Sequence, residues 1–336
     1  MNNNISNSSI TSLLRFTPAY KTTLWGGKRI YEYKGQKAPA DNVGETWEIS
    51  AMPGDESVVS GGLYDGQNLA ELTKTYGASL LGKHVFERFG SHFPLLIKLI
   101  DANDDLSIQV HPNDQYANNN HGGKLGKTEM WYLLDCTKDA KIYAGWKKET
   151  NPSDLKEIVK TDAVLDYLML HKPVRGDVFF LPAGKVHSIG AGCFVLEIQE
   201  ASDLTYRLFD FNRTDAQGNK RELHIDRAAD VIDYKVDTTG ILHYDKTVEN
   251  RPVILANCSY FCTSIWRLTE PTLRLPLEER DSFTVLFVEE GVVEVETEDE
   301  KLLLSAGNMT LIPAAQQKVR INLIGNKAQL IDCYIP

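Results

Sequence analysis

Residues 176–187, GDVFFLPAGKVH, end one apolar strand at a Pro-Gly turn and lead into a second apolar stretch, SIGAGCFVLEIQE, that reaches residue 200. A second segment, GNMTLIPAAQQK at residues 307–318, aligns with the first without a gap. In both segments a glycine is followed after five residues by a proline, but the last position is His187 in one and Lys318 in the other. The repeat predicts two halves with a shared fold, of which only the first keeps a functional residue.

Composition limits the kinds of partner that the chain can have. The 336 residues suit about two domains of roughly 150 residues each. A net charge of −10 argues against a nucleic acid or an anionic membrane as the partner, because no basic excess offsets phosphate charge. An anionic small substrate would therefore need a locally basic pocket. No apolar run reaches the length of a membrane span.

Two further features bear on location. The Asn- and Ser-rich start, residues 1–15, has neither a basic region nor a sustained apolar region, so we expect a disordered tail and no secretion signal. The five cysteines include no C-x-x-C pair, which favours reduced thiols and a cytoplasmic location.

The segment SIQVHPND at residues 107–114 combines a strand pattern with polar side chains. Period-2 alternation places Ser107, Gln109 and His111 on one face, and Ile108 and Val110 on the other. The preceding residues, FPLLIKLIDANDDL, are apolar enough to belong to a core. The polar face is therefore predicted to line a pocket.

These motifs resemble known families. The pattern G-x5-P-x-G-x2-H resembles the second motif of the cupin superfamily, although Ala191 stands where that motif ends in Asn, and Gln109-x-His111 with the later Glu129 resembles the first motif, with Gln for one His. The segments SIQVHPND, GKTEMW, AGKVHSIGAG and SDLTYRLFDFNR, in this order, together with LWGGKRI and GETWEIS, resemble the short bacterial form of the type I mannose-6-phosphate isomerases. The resemblance covers residues 24–213.

The resemblance implies a mainly β fold: two cupin-like (jelly-roll) β-barrels with a few appended helices. Local helical periodicity at residues 68–81, 151–170 and 224–233 suits the appended helices. We expect a catalytic domain over residues 16–240 with helical insertions, and a second, metal-free cupin-like domain over residues 248–336.

The resemblance also implies one zinc ion per chain, held by His111, Glu129 and His187, with Gln109 as the least certain ligand. The side-chain chemistry agrees, because two imidazoles and a carboxylate suit Zn(II), Fe(II) or Mn(II) and leave positions open for substrate. An isolated histidine is more often structural than a ligand. The occurrence of two histidines in separate matching motifs reverses that preference.

The implied reaction interconverts mannose 6-phosphate and fructose 6-phosphate by zinc-assisted proton transfer through a cis-enediol. The family's catalytic arginine corresponds to Arg207, which would otherwise be read as a surface residue paired with a nearby aspartate. Glu197 and Lys127 are both candidates for the general base. Ser107, with Lys98 or Lys127 as countercharge, is the expected phosphate clamp.

Two other functions fit the same residues. A cupin Fe(II) dioxygenase uses the same set of two histidines and a carboxylate. A non-catalytic cupin-like sugar-binding protein would keep the pocket without turnover. The sequence leaves open the sugar-phosphate preference, the identity of the base and the choice between a monomer and a weak homodimer.

Overall fold

The computed structural model describes residues 9–215 and 217–336. The strands of these residues are β1 (Phe16–Thr17), β2 (Ala19–Gly27), β3 (Val43–Ile49), β4 (Val58–Val59), β5 (Leu95–Asp101), β6 (Ile108–Val110), β7 (Glu129–Cys136), β8 (Ile142–Trp146), β9 (Leu168–His171), β10 (Val178–Leu181), β11 (His187–Ile189), β12 (Cys193–Glu200), β13 (Tyr206–Phe209), β14 (Ile241–Leu242), β15 (Val253–Asn257), β16 (Cys262–Leu268), β17 (Thr272–Arg274), β18 (Thr284–Glu296), β19 (Lys301–Ser305), β20 (Met309–Ile312) and β21 (Arg320–Tyr334).

The helices are short. They are α1 (Arg29–Tyr33), α2 (Leu69–Tyr76), α3 (Ala78–Leu81), α4 (Lys83–Phe89), α5 (Asp114–Asn120), α6 (Pro152–Ile158) and α7 (Ile225–Val231), with 3₁₀ helices at Asp162–Asp166 and Leu277–Glu279. Within the described part of the chain, none of them has the length and apolar composition needed to cross a membrane. The predicted fold class, mainly β with a few helices, is confirmed.

Asparagine side chains begin three of these helices. Asn68 accepts a hydrogen bond from the backbone N–H of Glu71, and Asn113 and Asn151 cap α5 and α6 in the same way. Each cap satisfies a backbone donor that has no partner within the helix. The helix predicted over residues 68–81 is interrupted at Gly77, whose φ of 45° is one that glycine adopts at little cost.

The chain divides into two compact units. The first unit contains Tyr20–Trp47 and Leu95–His243, and the second contains Glu48–Pro94, Tyr244–Pro336 and, among the described residues, 9–19. This division differs from the predicted domains, because residues 48–94 group with the C-terminal strands. Backbone hydrogen bonds from Phe283 to Leu81 and from Ala314 to Leu80 account for the difference.

The predicted tail also differs from the structure. Residues 1–8 lie outside the described part. Ile10 and Leu14 are buried, and Leu14 exchanges two backbone hydrogen bonds with Leu311 on β20. The prediction relied on the overall Asn- and Ser-rich composition and gave no weight to these two apolar residues. Both belong to the second unit.

The first unit contains two sheets. One has the strand order β14-β10-β7-β12-β5-β3-β2, and the other has the order β13-β6-β11-β8-β9. A buried apolar cluster draws side chains from both sheets, including Ile100, Trp131 and Phe179 from the first and Ile142 and Ile189 from the second. The inner faces of the two sheets therefore meet around one core.

Helices cover the outer face of the five-stranded sheet. Ile108 and Val110 of β6 pack in a cluster with Leu155 of α6 and Ala228 of α7. Because side chains alternate along a strand, Gln109 points to the opposite, inner face. The predicted alternation in SIQVHPND therefore holds in the structure.

The second unit has a sheet of order β15-β16-β21-β18-β19, with β17 added to β21 and β20 added to β18. The long strands β18 and β21 shift register near Gly291, whose φ is 86°. The sequence repeat is visible here as a structural repeat: Gly176 and Gly307 both have a φ of 83°. Each precedes an equivalent strand, β10 or β20, that pairs with β7 or β18.

Candidate active site

His111, Glu129 and His187 lie together on the inner faces of the first unit. The Nε2 atom of His187 is 3.2 Å from Glu129 Oε1 and 3.2 Å from His111 Nε2, and His111 Nε2 is 3.7 Å from Glu129 Oε2. All three side chains are at most 1% exposed. Three of the four ligands predicted from the sequence are thus brought together by the fold.

Strand pairing explains how residues far apart in sequence meet here. In the five-stranded sheet, Gln109 lies opposite His187 on one side and Arg207 on the other. In the seven-stranded sheet, Glu129 lies opposite Gln199. The register of the strands therefore aligns three separate motifs across the core.

The two imidazoles are oriented by backbone carbonyl groups. The Nδ1 atoms of His111 and His187 lie 2.8 Å from the carbonyl oxygens of Leu204 and Lys185. Because a carbonyl oxygen only accepts, each Nδ1 carries the proton and each Nε2 presents a lone pair to the centre. Burial lowers the pKa of both histidines, that of His187 to about 3, so both rings are neutral.

The arrangement fits a metal ion. Two Nε2 lone pairs and the oxygens of Glu129 converge, and the tautomers leave no proton between them. Glu129 Oε1 is buried without a hydrogen-bond donor among the described residues. Buried acceptors facing one another are costly unless a cation lies between them. Within residues 9–215 and 217–336, no other group of three such side chains has this spacing.

Gln109, the fourth predicted ligand, lies beside the centre. Its Nε2 is 3.5 Å from His187 Nε2, and its Oε1 accepts a hydrogen bond of 3.3 Å from Ser107 Oγ. A rotation of the amide group by 180° would turn the oxygen towards the centre and break the bond to Ser107. Gln109 is thus close enough to ligate but is not in the orientation that ligation requires.

A pocket lies beside this centre, because Gln109 and Lys127 line the pocket and contact His187 and Glu129, and most of the sequence-predicted site residues line it. Its lining residues are Trp25, Glu45, Lys98, Ile100, Leu106, Ser107, Gln109, Lys127, Trp131, Ile189, Glu197, Thr205, Arg207 and Arg221. Four of these side chains are cationic and two are carboxylates, in a chain with a net charge of −10. The pocket is locally basic, as an anionic small ligand requires.

Glu197 is held at the centre of a charge network. Lys98 Nζ is 2.9 Å and Lys127 Nζ 3.7 Å from Glu197 Oε1, and Trp131 Nε1 donates to Oε2 at 2.9 Å. Burial acts to raise the pKa of Glu197, but the two lysines outweigh it and lower the pKa to about 2. Glu197 is therefore a carboxylate with low basicity.

The pKa of Glu129 is shifted in the opposite direction to that of Glu197. Burial raises its pKa to about 8, although Lys127 Nζ lies 2.9 Å from Oε2 and acts to lower it. The ion pair alone therefore does not offset the desolvation of this carboxylate. A divalent cation would supply the missing stabilisation of the charged form.

Two charged pocket residues, Glu45 and Arg221, were not predicted from the sequence. Glu45 Oε2 lies 3.6 Å from Lys98 Nζ, so the ammonium group of Lys98 interacts with both Glu45 and Glu197. Glu45 is within the quoted segment GETWEIS, where alternation along β3 could have indicated an inward acidic residue. Arg221 lies outside the strands, and no sequence pattern indicated it.

The second unit lacks the corresponding residues. When β10 is aligned with β20, Glu129 corresponds to Thr284 and Glu197 to Asp332. Asp332 is buried and paired at 2.7 Å with Arg280. Lys318, at the position of His187, is exposed and pairs with Glu298.

Comparisons with known proteins show which proteins this chain is similar to. The family model "Phosphomannose isomerase type I, catalytic domain" matches residues 13–137. The mannose-6-phosphate isomerase ManA of Bacillus subtilis is 38% identical over 283 residues, which are 84% of this chain and 86% of that protein. A crystal structure of mannose 6-phosphate isomerase from Bacillus subtilis has a TM-score of 0.84 at 32% identity and covers 96% of this chain and 99% of that chain.

A more distant solved structure shares the fold alone. It is a mannose 6-phosphate isomerase bound with zinc and yttrium, with a TM-score of 0.75 at 18% identity, covering 96% of this chain and 99% of that one. The extent and identity of the match to the Bacillus subtilis protein are sufficient for assignment. The chain belongs to the type I phosphomannose isomerase family.

Proposed function

We propose that this protein interconverts mannose 6-phosphate and fructose 6-phosphate. The observation that carries the proposal is the convergence of the Glu129 carboxyl group with the unprotonated Nε2 atoms of His111 and His187, next to a basic pocket. The names of the Bacillus subtilis relatives support the choice of substrate. The same ligand set also suits an Fe(II) dioxygenase, and family membership favours the isomerase.

The metal that we propose is a single zinc ion per chain. His111, Glu129 and His187 would hold it, and Gln109 would join them after rotation of its amide group. When bound, such an ion polarises the substrate oxygens and stabilises negative charge on them. Two neutral imidazoles and one carboxylate are donor types that zinc accepts in catalytic sites.

The proton transfer would rely on the charged residues of the pocket. The reaction moves a proton between C1 and C2 through a cis-enediol, so negative charge develops on the adjacent oxygens. The guanidinium of Arg207, next to Gln109 across the strand pair, would stabilise that charge. Glu197 and Lys127 are the candidates for the general base, and the low pKa of Glu197 makes that carboxylate a weak base.

Ser107 and Lys98 would contact the substrate within the pocket. The Ser107 hydroxyl is on the inner face, and Lys98 is buried against Glu197. Because Lys98 is held by two carboxylates, we assign it to orienting Glu197 and to the sugar hydroxyl groups. Because these two carboxylates would repel a phosphate, we do not expect the phosphate to be the main partner of Lys98.

Turnover in D2O is the experiment that tests this function. We expect the zinc-loaded protein to form fructose 6-phosphate from mannose 6-phosphate at the same rate in air and under argon. NMR spectroscopy should show deuterium at C1 of fructose 6-phosphate and at C2 of mannose 6-phosphate after prolonged equilibration. Failure to form product, or a requirement for oxygen, would contradict the proposed function. Product without any deuterium would indicate either hydride transfer or a base that does not exchange its proton with solvent.

A further inference from the structure

Two arginines of the pocket lie close enough to repel each other. Arg207 and Arg221 both line it. Burial lowers the pKa of Arg207, and the charge of Arg221 lowers it further. The Nε–H of Arg207 is buried and has no hydrogen-bond acceptor within the described residues. Repulsion between the cations and an unmet donor both favour an anion at this position.

Asp210 fixes the orientation of Arg221. Its buried carboxylate accepts a hydrogen bond of 2.8 Å from Arg221 Nε and a second from Arg221 Nη2, so the contact is bidentate. Burial acts to raise the pKa of Asp210, but hydrogen bonds from Arg221 and Arg213 outweigh it and lower the pKa. Two nitrogens of Arg221, Nε and Nη2, thus donate to Asp210, and Nη1 has no hydrogen-bond acceptor within residues 9–215 and 217–336.

The lysines of the pocket are less suited to a dianion. Lys98 is within 3.6 Å of Glu45 and 2.9 Å of Glu197, and Lys127 is 2.9 Å from Glu129. A phosphate at either lysine would meet at least one carboxylate. Among the described residues, Arg207 and Arg221 together pair with one carboxylate, that of Asp210, whereas the two lysines share three.

The arginine side of the pocket is also separated from the metal ligands. Gln109 lies between His187 and Arg207 in the row of paired residues, and β13 is the edge strand of its sheet. Arg221 follows this edge strand in the chain. An anion bound at the arginines would therefore not occupy the open coordination position of the proposed metal, which the sugar oxygens need.

We propose that Arg221 binds the phosphate of the substrate, with Asp210 as the residue that positions it. The ligand class is a phosphate monoester dianion, and a planar guanidinium matches its oxygens. That the phosphate belongs to a sugar substrate rests on the proposed function. That Arg221 binds a phosphate does not rest on it. Arg207 lines the same pocket and keeps its proposed role at the reacting oxygens.

The Arg221→Ala variant tests the assignment. We expect its KM for mannose 6-phosphate to rise by roughly 10- to 100-fold, because a charge-assisted hydrogen bond is lost, with a much smaller change in kcat. Arg213→Ala is the matched control, since Arg213 contacts the same carboxylate at 2.5 Å but does not line the pocket. Asp210→Asn should raise KM by less than Arg221→Ala does and leave kcat near the wild-type value.

Binding of inorganic phosphate to the zinc-loaded full chain, measured by calorimetry, separates this inference from the proposed function. We expect the affinity to fall at least roughly 10-fold in Arg221→Ala and in the more conservative Arg221→Gln. If the wild-type protein showed no isomerase activity but lost phosphate binding in these variants, the proposed function would fail and the phosphate site would stand. Unchanged KM and unchanged phosphate affinity in both variants, or equal effects in Arg213→Ala, would overturn the phosphate site.

Discussion

His187→Ala should release the metal and abolish most isomerase activity. The imidazole supplies one of three convergent donors, and its Nε2 is within 3.2 Å of both of the others. Changing a residue that only orients a ligand typically costs 10- to 100-fold in metal affinity or activity, so loss of the ligand itself should exceed about 100-fold. Elemental analysis of the purified variant, together with its rate on mannose 6-phosphate, is the measurement.

His92→Ala provides the control for that variant. His92 is exposed, and its ring lies against the carbonyl oxygen of Phe89 in the second unit. This variant should keep full zinc content and full activity. A His187→Ala protein with wild-type zinc content would mean that the metal is held elsewhere.

Arg207→Ala should fold and keep its metal but lose roughly 100- to 1,000-fold in kcat, the loss that follows removal of one donor to a developing oxyanion. The reason is that a cation next to developing charge acts more strongly in the transition state than in the bound substrate. The rate at saturating mannose 6-phosphate and the zinc content are the measurements. Arg207→Lys should recover little, because a point charge does not reproduce the planar fork.

The comparison with Arg221→Ala separates the roles of the two arginines. Loss of Arg207 should appear in kcat, whereas loss of Arg221 should appear in KM. Unchanged kcat in Arg207→Ala would remove this residue from the mechanism. A raised KM with unchanged kcat would place Arg207 with Arg221 as a binding residue.

The three candidate metal ligands could be predicted from the sequence because His111 and His187 lie in two separate motifs that resemble cupin motifs. His111 and His187 each occupy a short motif in which strand alternation and turn residues fix the direction of the side chain. Glu129 could be added because a charge at the start of an apolar strand needs a partner. The structure brings these three residues within 4.8 Å of one another.

Arg221 and the grouping of residues 48–94 could not be predicted in this way. Arg221 is held at the pocket by its hydrogen bonds to Asp210. The sequence alone does not show which arginine pairs with which aspartate. The buried residues Leu72 and Leu80 mark a helical core face, but amphipathicity does not say which sheet that face covers. Both features depend on contacts between distant parts of the chain.

The central claim is that turnover depends on one metal ion at His111, Glu129 and His187. Its most direct test measures zinc content and fructose 6-phosphate formation in the same preparation, before chelation, after chelation and after zinc is restored. We predict about one zinc per chain at the start, loss of metal and activity together, and recovery of both with zinc. Full activity in protein shown to be free of metal would contradict the account.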